Sequence, residues 1–301
     1  MLEGLFILLI AQFAGSSIIP VSTKIGIGYF DPIVFVFLRF LVASFLFFPF
    51  FFWSKREKLT KKEFARIMLL AFFLFCNVTL FTIGIPHTTV VMSQILYTAT
   101  PVVVGVLGHV FFSERLTQNK IIGLVVALCG VCFLMFQSAS HQEHLTFGSP
   151  LGNILVIIAM FGYSAYLLYA RTLANSKKYT SVQISFYTFT CIGLYLLLTN
   201  IVYLFIVPVS FHAASSVGLL SVLAVGVGNV ISYSLLQLGI KMTNSFTASL
   251  FQYLGPFLSG LVAIPLLHEK LTPELFIGGS LIIFGVFYAT SFDNLKRRLL
   301  K

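Results

Sequence analysis

One long segment of this sequence occurs twice. Residues 97–130 match residues 252–285 at a constant offset of 155 positions, without a gap. Identical pairs within or just before the two copies include Gly84 and Gly239, Pro101 and Pro256, Gly105 and Gly260, Glu114 and Glu269, Leu116 and Leu271, Thr117 and Thr272, Gly123 and Gly278, and Gly130 and Gly285. An ungapped internal match of this length indicates a duplicated structural unit. Each copy is an apolar segment containing a proline, a short charged turn and a second apolar segment, which predicts the same hairpin twice.

The solvent around most of this chain is predicted to be lipid. Of its 301 residues, 58% are apolar and only 9% are charged, whereas soluble domains carry about 25% charged residues. A helix needs about 20 mostly apolar residues to cross a bilayer. The segments that reach this length are 4–23, 33–53, 64–84, 89–112, 120–137, 150–170, 181–207, 215–238, 246–267 and 274–292. The sequence therefore predicts an all-α integral membrane protein with ten transmembrane helices.

The basic residues predict how these helices are oriented. Lys and Arg concentrate in connections on one side, namely 54–66, 113–120, 171–180 and the tail 293–301. The opposite connections, which contain neither residue, are 85–88, 138–149 and 208–214. Because basic loops stay on the cytoplasmic side, both termini are predicted to be cytoplasmic, in the plasma membrane (the inner membrane of a bacterium). The net charge of +10 is spread over these loops, which predicts no nucleic-acid-binding patch.

Five helices per half is an odd number, so the second half must enter the membrane in the opposite sense to the first. We therefore predict two inverted five-helix repeats, 1–137 and 150–292, followed by the basic cytoplasmic tail 293–301. The first helices of the two repeats match more weakly, and there Ser16 aligns with Ser164. Many secondary transporters have this architecture, with a substrate site near the bilayer midplane between the repeats.

Short motifs recur in order along both halves. The first half contains Lys24-Ile-Gly, Arg39-Phe, Pro101, Ser113-Glu114-Arg115-Leu116-Thr117 and Gly123. The second half contains Pro256, His268-Glu269-Lys270-Leu271-Thr272 and Gly278. In this ordered set the chain resembles the drug/metabolite transporter superfamily, and specifically its ten-span EamA family with two EamA repeats. The resemblance implies alternating-access transport of a small metabolite through a central cavity lined by helices 1, 3, 4, 6, 8 and 9.

Polar residues of helices 4 and 9 are candidates for that cavity. They recur at helical spacing as Ser93, Tyr97, Thr100 and Pro101 in one copy and as Ser249, Gln252, Tyr253 and Pro256 in the other, with Gln94 and Thr98 beside the first set. Such spacing places side chains on one helix face, and amides and phenols are costly to expose to lipid. We expect these side chains to bind substrate, and the two prolines, which each remove a backbone hydrogen bond, to act as gating hinges. The alternative is that Ser, Thr and Pro merely pack or bend the helices.

Further candidates for the cavity lie in helices 1, 3, 6 and 8. They are Gln12, Ser16, Ser17, Asn77, Tyr163, Tyr166, Asn229, Ser232 and Tyr233. Asn and Tyr side chains can hydrogen-bond a zwitterion or stack on an apolar ring. The alternative is hydrogen bonding between helices, worth about 1 kcal/mol per bond, which we favour for Asn229 and Gln12.

Arg39 is the only charged residue well inside a predicted helix, about 9 Å from its outer end at a rise of about 1.5 Å per residue. We interpret it as an anchor paired with Asp31 or a carbonyl; the alternative is that it attracts an anionic substrate group.

No Asp or Glu lies in the middle of a predicted helix, which predicts no carboxylate relay for protons. The sequence contains no nucleotide-binding loop, metal cluster or catalytic Ser/His/Asp set, so we expect neither an enzyme nor a cofactor or metal.

The sequence thus predicts a transporter or facilitator for a small neutral or zwitterionic metabolite, with amino acids as the leading class, because the candidate residues are polar and aromatic but rarely charged. One alternative is uptake or exchange of a nucleoside-like or cofactor-like metabolite whose charged group contacts Arg39 or Lys24. Another is a channel or a membrane assembly protein.

Small residues in helices 5 and 10 predict a close contact between these helices or between two copies, so monomer and homodimer both stay open. These small residues are Gly123, Ala127, Gly130, Gly278, Gly285 and Ala289.

Overall fold

The computed structural model describes residues 2–53, 60–87, 96–112, 117–140, 149–174, 180–206, 215–255, 258 and 273–299. All regular structure within these ranges is helical. The α-helices are α1 (Leu2–Phe13), α2 (Ile19–Gly26), α3 (Pro32–Trp53), α4 (Lys61–Gly84), α5 (Thr100–Phe112), α6 (Gln118–Ser140), α7 (Pro150–Ala174), α8 (Ser181–Ile206), α9 (Ser216–Met242), α10 (Ser245–Leu250) and α11 (Pro273–Leu299). A π-helical turn, Ala14–Ile18, connects α1 to α2, and a 3₁₀ turn, Phe251–Leu254, follows α10.

Six helical segments in the described part of the chain are long and apolar enough to cross a membrane. They are Leu2–Thr23, Pro32–Pro49, Lys61–His87, Pro150–Leu173, Ser181–Ile206 and Ser216–Met242, and three shorter apolar helices are Thr100–Phe111, Gln118–Gly130 and Phe276–Ala289. Large apolar side chains face outward, such as Phe45 and Phe205, which are 75% and 88% exposed. Such exposure is unfavourable in water but not in lipid. The prediction of an all-α integral membrane protein is confirmed.

Reciprocal side-chain caps determine where two of the helices begin. The Glu63 N–H donates to the Thr60 hydroxyl at 3.3 Å, and the Thr60 N–H donates to the Glu63 carboxylate at 2.8 Å. Thr180 and Gln183 make the same exchange at the start of α8, at 3.2 and 3.0 Å. Each exchange satisfies two N–H groups that would otherwise lack a partner. Helix α4 therefore starts at residue 61, ahead of the apolar run that predicted a start at residue 64.

The helices pack in pairs that join the two halves of the chain. Helix α1 lies along α9, α4 along α7, α3 along α8 and α6 along α11. One core cluster runs through most of these helices and includes Phe40 of α3 and Phe189 of α8. Their rings meet edge to face, with centroids 5.3 Å apart. The most extensive helix contacts thus run between the halves, so the halves share one core.

Some contacts occur twice, at positions that correspond in the two halves. The Asn77 amide donates to the Ala159 carbonyl at 2.9 Å. Its counterpart at the 155-residue offset, Ser232, donates to the Ala11 carbonyl, also at 2.9 Å. Ala11 and Ala159 correspond at the 148-residue offset of the first helices. A bond from the first half to the second is therefore repeated from the second half to the first.

Helices α6 and α11 touch through their small residues. A Cβ atom added to Gly123 would lie 2.6 Å from the Gly285 carbonyl oxygen, and one added to Gly285 would lie 2.7 Å from the Gly123 carbonyl oxygen. A Cβ on Gly130 would lie 2.9 Å from the Gly278 carbonyl oxygen. Absence of side chains lets the two backbones approach this closely. The small-residue surface predicted from the sequence is therefore buried between helices of one chain.

The helical backbone is interrupted at corresponding places in the two halves. A turn at Thr98 and Ala99 precedes α5, and the 3₁₀ turn Phe251–Leu254 occupies the matching position after α10. Pro101 is the second residue of α5, where its missing N–H costs little. Pro256 lies outside the described residues. The role of both prolines as gating hinges stays a prediction.

Candidate functional site

A polar cavity of about 140 Å³ lies between the two halves of the chain. Its walls come from α1, the π-helical turn, α2, α3, α4, α7, α9, the 3₁₀ turn and the residues just before α5. The lining residues are Gln12, Gly15, Ser16, Ile19, Pro20, Thr23, Arg39, Asn77, Val78, Phe81, Tyr97, Tyr163, Asn229, Ser232, Tyr233 and Gln252. Because both halves contribute to the wall, a bound molecule would contact both of them.

The structure brings about half of the predicted site residues together at this cavity. Those that line it are Gln12, Ser16, Asn77, Tyr97, Tyr163, Asn229, Ser232, Tyr233, Gln252 and, as the predicted charge contact, Arg39. Those that are buried but do not belong to its lining are Ser17, Thr98, Thr100, Tyr166, Ser249 and Tyr253. Ser93 and Gln94 lie outside the described residues, as does Pro256, and Pro101 is buried in the first turn of α5.

The 3₁₀ turn explains why the polar face predicted for residues 246–267, the ninth predicted helix, does not coincide with the cavity wall. An α-helix places residues three and four apart on one face, whereas a 3₁₀ segment has three residues per turn. In this turn Gln252 reaches the cavity, while Tyr253 is fully buried away from it. The Ser249 hydroxyl, still in α10, donates to the Phe246 carbonyl at 2.7 Å.

Hydrogen bonds between helices hold the polar wall in place. The Gln252 Nε2 donates to the Tyr163 hydroxyl at 2.9 Å and to the Gln12 Oε1 at 3.2 Å. The interhelical bonding that we favoured for Gln12 is thus observed. The Asn77 amide also donates to the Tyr97 hydroxyl. These bonds position five polar side chains before any ligand binds, which is the preorganisation that a binding site requires.

Tyrosine rings form an aromatic wall. Tyr97 meets Phe81 edge to face with centroids 5.4 Å apart and lies 6.3 Å from Tyr163. Tyr163 stacks on Tyr166 at 6.1 Å, and Tyr166 meets Tyr233 edge to face at 5.9 Å. Tyr166 therefore supports two lining tyrosines although it does not line the cavity. The wall offers apolar ring faces together with hydroxyl groups, which suits an amphiphilic molecule.

Arg39 is buried at the cavity, with only 4% of its surface exposed. Its Nη1 donates to the Thr23 hydroxyl at 3.4 Å, and its Nε has no hydrogen-bond partner. Of the two partners that we expected for Arg39, Asp31 or a carbonyl, the described residues supply neither. The Asp31 carboxylate caps α3 through the Ile33 N–H and accepts from the Tyr203 hydroxyl, each at 2.9 Å. Among the described residues, no carboxylate neutralises the guanidinium.

Sequence reasoning missed several lining residues of α2 and α4. Pro20 and Thr23 of α2 follow Gln12 and Ser16 at intervals of four and three, so they extend the same helix face. That spacing was a usable signal, although the π-helical turn lies within it. Phe81 is one apolar residue among many in its helix, and nothing in the sequence distinguishes it.

A helical membrane protein whose two halves enclose a polar cavity belongs, by fold and site, to the class of membrane transporters. The profile of the EamA-like transporter family matches residues 2–136 and 150–291. The chain therefore belongs to the EamA-like transporter family, and the resemblance drawn from its motifs is confirmed. Its surroundings are the lipid bilayer, and its substrate is a small molecule.

Known proteins resemble the chain over most of its length. It is 27% identical over 267 residues to the uncharacterized transporter YetK of Bacillus subtilis (strain 168), covering 83% of this chain and 76% of that protein. It is 27% identical over 280 residues to an uncharacterized transporter of Archaeoglobus fulgidus, covering 89% and 91%. A solved crystal structure has the same fold, with a TM-score of 0.78 at 18% identity over 99% of both chains.

Proposed function

We propose that this transporter works by alternating access and carries a small neutral or zwitterionic metabolite, with amino acids as the leading class. The observation that carries the proposal is the polar cavity lined by residues of both halves. A site shared by two repeats opens to either side of the membrane when the repeats rock against each other. The distribution of basic loops favours the plasma membrane with both termini in the cytoplasm.

The proposed architecture is ten transmembrane helices in two inverted five-helix repeats, 1–137 and 150–292. The paired contacts support a two-fold relation between the halves. A two-fold rotation would convert the packing of α1 on α9 into that of α7 on α4. It would also convert the hydrogen bond from Asn77 to Ala159 into that from Ser232 to Ala11. With an odd number of helices per repeat, the axis that relates them lies in the membrane plane.

The volume of the cavity favours an amino acid over a larger metabolite. A cavity of about 150 Å³ accommodates one benzene molecule, and this cavity measures about 140 Å³. A small amino acid approaches that size. A nucleoside-like or cofactor-like molecule is much larger and would require the walls to move apart.

Counterflow in proteoliposomes tests the transport proposal. Purified protein is expected to take up radiolabelled leucine, or another member of a panel of the twenty amino acids, with saturable kinetics. Unlabelled amino acid inside the vesicles should increase the initial rate several-fold, because a loaded carrier returns faster than an empty one. Flux that rises linearly with concentration and does not depend on the internal amino acid would favour a channel. No flux across the panel would exclude amino acids as the substrate class.

Labelling of two loops tests the inverted architecture. Single cysteines introduced as Glu114→Cys and Glu269→Cys, in a background without the four native cysteines, are expected to react from opposite sides of the membrane with an impermeant maleimide. The turn at 114 should react from the cytoplasm, because it belongs to the basic side. Reaction of both positions from the same side would contradict inverted repeats.

A further inference from the structure

Two buried nitrogen atoms at the cavity have no hydrogen-bond partner. They are the Nε of Arg39 and the Nδ2 of Asn229, in residues that are 4% and 2% exposed. Both residues line the cavity. Buried donors are nearly always satisfied, because an unsatisfied donor loses its hydration without compensation. Two unsatisfied donors at one cavity therefore point to a ligand that accepts hydrogen bonds.

The two donors come from helices that touch at this place. A Cβ atom on Gly226 of α9 would lie 3.4 Å from the Arg39 carbonyl oxygen of α3. Asn229 follows Gly226 by three residues, so both lie on the same face of α9. We favoured an interhelical hydrogen bond for Asn229, but its amide nitrogen makes none. Arg39 and Asn229 thus come from helices in direct contact, and both residues line the cavity.

The described part of the chain offers no negative charge to the guanidinium of Arg39. The described residues that share the cavity wall with it are all neutral. Its contacts are the Thr23 hydroxyl and the ring of its neighbour Phe40, whose centroid lies 5.3 Å from Cζ. A buried cation without an anion is unfavourable, and a pairing anion with good hydrogen bonds relieves that cost. An anionic ligand group would supply this partner.

We propose that the cavity recognises its substrate through an oxyanion, a carboxylate that Arg39 and Asn229 hold together. The proposal rests on the proposed transport function and refines it. The carboxylate is the group that the site requires, and the amino group of an amino acid is dispensable. The substrate class is therefore small monocarboxylates, among which amino acids are one kind.

The donor set fits a carboxylate in shape and in charge. A guanidinium presents parallel N–H groups that match the two oxygens of a planar carboxylate, and the amide adds a further donor. One arginine balances one negative charge. A phosphate monoester shares the oxyanion chemistry but brings a second charge, which no described residue of the wall neutralises.

The rest of the described wall offers an amino group no ionic partner. An ammonium group would need a carboxylate or several free acceptors, and the described lining contains neither Asp nor Glu. The Gln12 Oε1 already accepts from the Gln252 amide at 3.2 Å. Tyrosine ring faces offer a cation–π contact that is weaker than an ion pair.

The test compares four probes that share one side chain. They are L-leucine, L-leucinamide, 4-methylpentanoate, which lacks the amino group, and 3-methylbutylamine, which lacks the carboxylate. Binding to the purified full-length protein is measured by ligand-dependent thermal stabilisation, and matching sets built on alanine and phenylalanine make the result independent of one side chain. Both carboxylates are expected to bind, and the amide and the amine should bind about 100-fold more weakly, as for loss of one member of a buried charge pair.

Variants assign this preference to the two residues. Arg39→Gln is expected to weaken carboxylate binding about 100-fold and to abolish the preference for acid over amide. Arg39→Lys should keep part of the preference because the charge remains, and Asn229→Ala should lower it about tenfold. Arg66→Gln, which removes an exposed arginine of α4, is the matched control and should bind like the unmodified protein. The four-probe comparison on unmodified protein tests the preference for a carboxylate even if Arg39→Gln does not fold.

Several results would overturn the proposal. Amides that bind as tightly as the acids would do so, as would an Arg39→Gln variant that keeps the acid preference. Tighter binding of inorganic phosphate or methyl phosphate than of every carboxylate would assign the oxyanion to phosphate instead. The two proposals fail separately: amino-acid counterflow without acid preference leaves only the transport function, whereas binding of 4-methylpentanoate without amino-acid flux leaves only the carboxylate site.

Discussion

Tyr97→Ala is expected to lower the initial rate of amino-acid counterflow at least about 100-fold, which corresponds to about 2.7 kcal/mol. Truncating a well-packed aromatic residue at the centre of a binding site costs about 2 kcal/mol or more. Here the change removes a ring packed between Phe81 and Tyr163 and the hydroxyl that accepts from the Asn77 amide. Counterflow in proteoliposomes measures the effect, after the amount of inserted protein has been matched.

The neighbouring repeat supplies the control for that prediction. Tyr253 is fully buried, does not line the cavity, and has a hydroxyl without a partner. Tyr253→Phe is therefore expected to leave counterflow within about twofold, because no hydrogen bond is lost. The counterflow rate of Tyr97→Phe should lie between those of Tyr97→Ala and Tyr253→Phe. The ring stays, and only the hydroxyl that accepts from Asn77 is removed. Normal counterflow in Tyr97→Ala, or equal losses in Tyr97→Phe and Tyr253→Phe, would remove Tyr97 from the site.

The helical class and the contact between α6 and α11 could be predicted because both depend on composition along the chain. Apolar length determines whether a helix can cross lipid. Glycine and alanine at regular intervals determine where two helices can approach closely, and Gly123 and Gly285 do meet. The sequence could not show whether the partner surface lay in the same chain. Only the packing of the two halves decides that.

The site could be predicted only in part, because two local choices depend on the rest of the fold. Helical spacing identified Tyr97 and Gln252 but also pointed to Tyr253, which a change from α-helical to 3₁₀ geometry turns away from the cavity. Asp31 could either pair with Arg39 or cap α3. The Tyr203 hydroxyl, far away in sequence, lies 2.9 Å from the Asp31 carboxylate in the capping position. Asp31 therefore caps α3 and does not pair with Arg39, which lines the cavity.

The two halves carry different residues at several positions of the cavity wall. Tyr97 corresponds to Gln252 and Asn77 to Ser232, whereas the glycines between α6 and α11 are the same in both copies. In the proposed two-fold arrangement, contacts near the axis must suit both halves at once, so glycine is needed in each. Cavity residues have no such constraint, and their differences would give the proposed two-fold scaffold an asymmetric interior. An asymmetric interior is what a molecule with one charged end requires.

Gly123→Ala is expected to destabilise the protein by about 2 kcal/mol, within the range for overpacking a close contact. The added Cβ would lie 2.6 Å from the Gly285 carbonyl oxygen and 2.6 Å from the Ala289 backbone nitrogen. Both are backbone atoms, which cannot rotate away, so the two helices must separate. Gly285→Ala should cost a similar amount, because its Cβ would lie 2.5 Å from the Ala127 backbone nitrogen. Unfolding of the detergent-solubilised protein by heat or by added SDS measures both losses.

Gly193 of α8 provides a glycine without a close neighbour. A Cβ there would meet only the Ser44 hydroxyl, at 4.0 Å, so Gly193→Ala should be neutral or should stabilise the protein by up to about 1 kcal/mol through helix propensity. The Gly123→Ala and Gly285→Ala changes act on one contact, so their double variant should lose less than the sum of the single losses. A Gly123→Ala protein as stable as Gly193→Ala would contradict the close packing of α6 on α11. Losses that add fully would show that the two glycines lie in separate contacts.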